Sequence, residues 1–102
     1  MKRTKAALAG CLVLVLAAPA DAEDAKALFA RRCASCHGMD GKGQTAMGKR
    51  LGATDLTGLQ SSEAAISAAI ENGKPPKMFS FKGKLTAEQI QALAAYVKGG
   101  LR

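Results

Sequence analysis

The segment Cys33-Ala34-Ser35-Cys36-His37 gathers two of the chain's three cysteines and its only histidine. Thiols at this spacing can cycle as a redox dithiol, supply half of a zinc site, or attach a haem. A thioredoxin-like dithiol wants a strand before it and a helix starting at its first cysteine, whereas here a helix-like run ends at that point. A zinc site needs four ligands, and one histidine without a second cysteine pair cannot complete it. The histidine directly after the second cysteine favours the third chemistry. Each thiol can add across one porphyrin vinyl group, and the next residue then presents its imidazole to the iron from the same side. One covalently bound haem c is therefore expected, with thioether bonds to Cys33 and Cys36 and axial ligation by His37. The other ring nitrogen of His37 is expected to donate to a backbone carbonyl in the following loop, which fixes the ring and raises its basicity.

With no second histidine, the opposite face of the iron takes another ligand or stays open. Met39 is two residues from His37 and is held on the same side of the ring. Met47 has enough chain to cross but lies among glycine-flanked residues. Met78 sits in KPPKMFSF, where Pro75 and Pro76 stiffen the approach and Phe79 and Phe81 can pack beside the ring. Met78 is the favoured sixth ligand, with Met47 and an open face as the alternatives.

Three helices are expected to position these groups. Asp24 to about Arg32 places Ala25, Leu28 and Phe29 on one face. A second helix follows Ser61 as N-cap, pairs Ile66 with Ile70, and stops at Gly73. The third carries a capping box of Thr86 and Gln89, a staple of Leu85 and Ile90, an apolar face of Ile90, Leu93, Ala94 and Val97, and ends at Gly99-Gly100. No strand and no internal repeat is expected. Between His37 and Ser61 runs a long glycine-rich stretch without periodicity, which as a loop suits a wrapping role better than a compact domain. Its Leu51, Leu56 and Leu59 favour wrapping, and Gly38, Gly41, Gly43 and Gly48 would allow close passage or left-handed turns.

Composition sets the remaining bounds. MKRTK followed by AALAGCLVLVLAAPA and the small-x-small Ala20-Asp21-Ala22 reads as an export signal over residues 1–22, leaving a domain over 23–102. The apolar run is too short for a confident membrane span, so no stable membrane insertion is expected, and Cys11 leaves with the signal. Removal of Lys2, Arg3, Lys5 and Asp21 leaves twelve basic against seven acidic residues, a formal charge of +5. That balance favours an acidic partner. Export and the lack of a recognition-helix or zinc-finger pattern argue against nucleic acid. Eighty residues with few bulky apolar side chains make a marginal core, which a haem would complete.

AKALFARRCASCHGMDGKG, ENGKPPKMFSF and LTAEQIQALAAYV together resemble the attachment site, sixth-ligand loop and last helix of a bacterial class I monohaem cytochrome c of the small periplasmic kind. The resemblance covers essentially residues 25–97. It implies an all-α class I cytochrome c fold, three main helices plus long loops wrapped around one covalent haem, with Cys33, Cys36, His37 and Met78 as the site residues. It also implies that the first and last helices cross at Ala25, Phe29 and Tyr96, with Ala25 standing where glycine is usual. Many relatives place proline directly after the methionine, whereas here Pro75 and Pro76 precede it. The expected function is a monomeric, soluble, periplasmic electron carrier, not an enzyme. Its partners would be redox proteins with acidic docking surfaces, such as a reductase, oxidase or peroxidase, met through Lys74, Lys77, Lys82 and Lys84. Two alternatives differ in class: a haem-bearing subunit of a larger oxidoreductase, and a haem sensor or enzyme with an open or labile sixth position. The second lacks an obvious distal acid-base residue, there being no second histidine.

Overall fold

The computed structural model describes residues 22–102, with side chains from Ala25 onward. The expected leader over 1–22 lies outside the described residues, apart from Ala22, which starts the first helix. Five helices follow in order: α1 (Ala22–Arg32), α2 (Ala34–His37), α3 (Ala46–Leu51), α4 (Glu63–Asn72) and α5 (Ala87–Lys98). The three expected helices are α1, α4 and α5; α2 and α3 are short additions to segments read as irregular. Among the described residues there is no strand, only isolated bridges at Lys74 with Met78 and at Lys82 with Leu85. No helix there is long and apolar enough to cross a membrane.

Local signals set the helix ends. In α5 the Thr86 hydroxyl accepts from the Gln89 N–H at 3.0 Å and the Gln89 side chain accepts from the Thr86 N–H at 2.8 Å, the reciprocal pairing expected. Leu85 and Ile90 are both buried beneath it. At α4 the cap is Ser62, whose hydroxyl accepts from Ala65 N–H at 3.1 Å, and not the expected Ser61. Two adjacent serines offer the same chemistry, and tertiary contact separates them: the Ser61 carbonyl instead accepts from Lys98 Nζ at 2.6 Å, tying the entry of α4 to the end of α5. In α3 Thr45 caps Gly48 N–H at 2.9 Å and Gly52 closes the helix in left-handed conformation.

The core forms where α1, α4 and α5 meet. It comprises Ala25, Leu28 and Phe29 from α1, Ile66 and Ile70 from α4, Leu85, and Ile90, Leu93, Ala94, Tyr96 and Val97 from α5. Phe29 meets Tyr96 with ring centroids 5.5 Å apart and planes tilted by 54°, so the first and last helices cross where expected. Cys33, Leu56, Leu59 and Phe81 pack against the rim of this cluster. Leu51 is only half-buried, and Phe79 is 71% exposed. Of the two phenylalanines after Met78, Phe81 is the one that packs against the core.

Phe29 is 1% exposed at the centre of the helix crossing. Phe29→Ala should cost about 3–5 kcal/mol, read as a lower denaturant midpoint with an unchanged slope.

Candidate functional site

α1 carries the attachment segment directly off the core. Cys33 N–H donates to the Phe29 carbonyl at 2.9 Å, extending the helical pattern by one residue. The backbone then tightens into α2, where Cys36 N–H and His37 N–H both donate to the Cys33 carbonyl, at 3.2 and 2.9 Å. Both thiols are free and half-buried. Burial, with the neighbouring Cys36 second, pushes the Cys33 thiol up to about 11. A redox dithiol activates its nucleophile by the opposite shift, and a zinc ligand must be a thiolate. Cys33 is suited to a neutral sulfur, whether thiol or thioether. Among the described residues no group of three or more His, Cys, Asp or Glu side chains could hold a metal ion.

His37 Nδ1 lies 3.0 Å from the Thr54 carbonyl oxygen. A carbonyl only accepts, so Nδ1 carries a proton, and in the neutral ring Nε2 then holds the lone pair a metal ligand requires. The partner that the sequence left open is thus seventeen residues further on. The intervening chain is fastened to the attachment segment at several points. Gly43 N–H donates to the His37 carbonyl at 2.8 Å, and Thr45 Oγ1 donates toward the Ser35 and Cys36 carbonyls at 2.7 and 3.0 Å. Leu56 N–H returns to the Gly41 carbonyl at 2.6 Å. The wrapping stretch is an ordered strap with α3 inside it, where Gly48 allows close passage against the Cys36 and Gly43 carbonyls without a left-handed turn. The strap carried signals of its own in the sequence, a threonine cap and a closing glycine around α3, but six residues are too few for periodicity.

Met78 is half-buried and closes a tight loop, donating to and accepting from Lys74 at 3.0 Å each. Ser80 Oγ donates to the Glu71 carbonyl at 2.7 Å, and Phe81 N–H donates to the Ile70 carbonyl at 3.2 Å, so this loop is sewn to the end of α4. Gly73 makes the crossing possible. Its φ is +72°, and a Cβ there would stand 2.6 Å from Phe79 C and Ser80 N and 2.7 Å from Met78 O. Met39 and Met47 are more exposed, at 45% and 41%, the latter with its sulfur 3.8 Å from Arg50 Nη1.

The attachment segment fits a haem c, with two free thiols separated by two residues in sequence and an imidazole whose Nδ1 is engaged by a carbonyl. A family model described as cytochrome c oxidase, cbb3-type, subunit III matches residues 20–97. The chain is 44% identical over 82 residues to cytochrome c6 of Nostoc sp. (strain PCC 7120), covering 78% of this chain and 71% of that one. It is 37% identical over 81 residues to the cbb3-type cytochrome c oxidase subunit FixP of Bradyrhizobium diazoefficiens, covering 76% of this chain but only 27% of FixP. The solved structure of the KustC0563 c-type cytochrome superposes with a TM-score of 0.69 at 34% identity, over 76% of this chain and 98% of that one. The fold and these relatives define a class I c-type cytochrome. The chain belongs to that family as a small monohaem member, for which haem c is the implied cofactor and haem-based electron transfer the function.

Gly58 shares the left-handed φ of Gly73 but has nothing within 4 Å of an added Cβ. Gly58→Ala should cost about 1 kcal/mol, and Gly73→Ala about 1–3 kcal/mol more, measured by denaturant unfolding of the haem-loaded protein. Equal losses would remove the crossing from the account of this loop.

Proposed function

We propose that residues 23–102 form a soluble periplasmic electron carrier after removal of an export signal, with one haem bound through Cys33 and Cys36 and ligated by His37 and Met78. The observation that carries this reading is the His37 Nδ1 bond to the Thr54 carbonyl, which leaves Nε2 free beside two unpaired thiols. When bound, haem c supplies a one-electron Fe(III)/Fe(II) couple. The chain's own residues do the rest. Cys33 and Cys36 retain the group by bonds that do not dissociate, and His37 is held in one ring orientation by Thr54. Met78 supplies a soft thioether, which with imidazole holds the potential above that of two imidazoles. Two fixed ligands leave no position for substrate, so an electron is all that passes.

Lys74, Lys77, Lys82 and Lys84 are exposed around Phe79, and no acidic residue interrupts positions 72–87. A basic rim around an exposed aromatic ring suits docking on the acidic surface of a reductase, oxidase or peroxidase. A second reading draws on FixP, about a quarter of whose length this chain spans: the domain would serve as the haem-bearing part of a larger oxidoreductase assembly. Co-purification of the exported protein with a membrane oxidase would favour that assembly over a free monomeric carrier.

A reduced-minus-oxidised spectrum of the exported protein, with the haem retained after denaturation, tests attachment and ligation together. Met78→Ala should let carbon monoxide bind the ferrous protein and lower the potential, while Met47→Ala changes neither. Carbon monoxide binding equally well to the parent would remove Met78 from the iron.

Replacing Lys74, Lys77, Lys82 and Lys84 with Gln should slow electron transfer to an acidic partner by about tenfold or more at low salt. The difference should shrink once ionic strength shortens the field to about 8 Å. Stopped-flow rates across a salt series provide the measurement; matching rates at the lowest salt would leave these lysines as ordinary surface charge.

A further inference from the structure

For His37 to reach Thr54, two stretches of backbone must lie against each other, and Gly43 is a point of close approach between them. Its N–H is tied to the His37 carbonyl at 2.8 Å. Its φ is +71°, and a Cβ there would stand 2.6 Å from the Ala53 carbonyl oxygen and 3.3 Å from that of Thr54. The Thr54 segment has little room to retreat. Ala53 N–H donates to the Gly48 carbonyl at 2.8 Å on one side, and Leu56 N–H donates to the Gly41 carbonyl at 2.6 Å on the other. Directly after Thr54 the Asp55 carboxylate accepts from Thr57 N–H at 2.9 Å and Thr57 Oγ1 at 2.6 Å, bracing the turn over residues 55–57. A side chain on residue 43 would therefore push the Thr54 carbonyl away from the imidazole or pull the strap off His37.

We propose that Gly43 is a positioning residue for His37: its missing side chain lets the Ala53–Thr54 backbone come close enough for the Thr54 carbonyl to hold the imidazole Nδ1–H. The proposal rests on His37 being an iron ligand. Donation to the carbonyl raises the basicity of the ring and so favours Fe(III). Loosening it shifts the couple toward Fe(II).

Because His37 is the only histidine, selective 15N-histidine labelling reports this ring alone. The haem-loaded parent, Gly43→Ala and Gly52→Ala are compared, ring exchange in the reduced state and the couple at a fixed applied potential. Gly52 is the control, with φ of +70° but nothing within 4 Å of an added Cβ. Gly43→Ala should speed exchange of the Nδ1 proton about tenfold and shift the Fe(II)/Fe(III) ratio at a fixed applied potential about threefold toward Fe(II); Gly52→Ala should do neither. A parent ring nitrogen that is not bound to iron overturns the ligation and this role with it. A bound ring with the same exchange and ratio in both glycine variants overturns the positioning role alone. Should Gly43→Ala yield no loaded protein, Asp55→Ala decides in its place, since that side chain is exposed. Faster exchange in Asp55→Ala, restored in Asp55→Asn, supports control through the Thr54 carbonyl, and unchanged exchange overturns it.

Discussion

Phe29 packs on Tyr96 at the crossing of α1 and α5, and the carbonyl of that same phenylalanine accepts the N–H of Cys33. The attachment segment thus begins one helical turn from the best-buried aromatic contact in the core. Apolar burial is non-directional and cannot by itself orient an imidazole. It can hold the end of a helix still, and the directional bonds beyond that end then have a fixed origin.

From that origin outward, the site is held by backbone and not by side-chain bulk. The strap contributes only Leu56 and Leu59 to the edge of the core. Its position comes from main-chain bonds of Gly41, Gly43, Ala53 and Leu56, supplemented by the Thr45 hydroxyl. Backbone groups need partners wherever water is displaced, and these bonds supply them within the strap. The Met78 loop follows the same logic on the other side, sewn to the end of α4 through Glu71 and Ile70. In both places a glycine replaces a side chain where two backbones meet.

The burial of Cys33 and the exposure of Phe79 describe one division of labour. The sulfur next to the core is kept neutral, which disfavours the thiolate chemistry open to a bare CxxC pair. The aromatic ring beyond Met78 faces outward among lysines, leaving Phe81 to meet the core.

Much of this was legible in the sequence, because much of it is local. Capping by Thr86 and Gln89, the staple of Leu85 and Ile90, and the apolar face of α5 are set by residues within a few positions of one another. The spacing of Cys33, Cys36 and His37 is covalent geometry and needs no fold to be read. The choice between Ser61 and Ser62, the carbonyl that receives the His37 proton, and the side of the loop on which Phe79 falls were not legible. Each depends on chain segments brought together from afar: Lys98 on Ser61, Thr54 on His37, and α4 against the residues after Met78. Residue identities fix what a group can donate, accept or bury; only the crossing of distant backbones decides which group it meets.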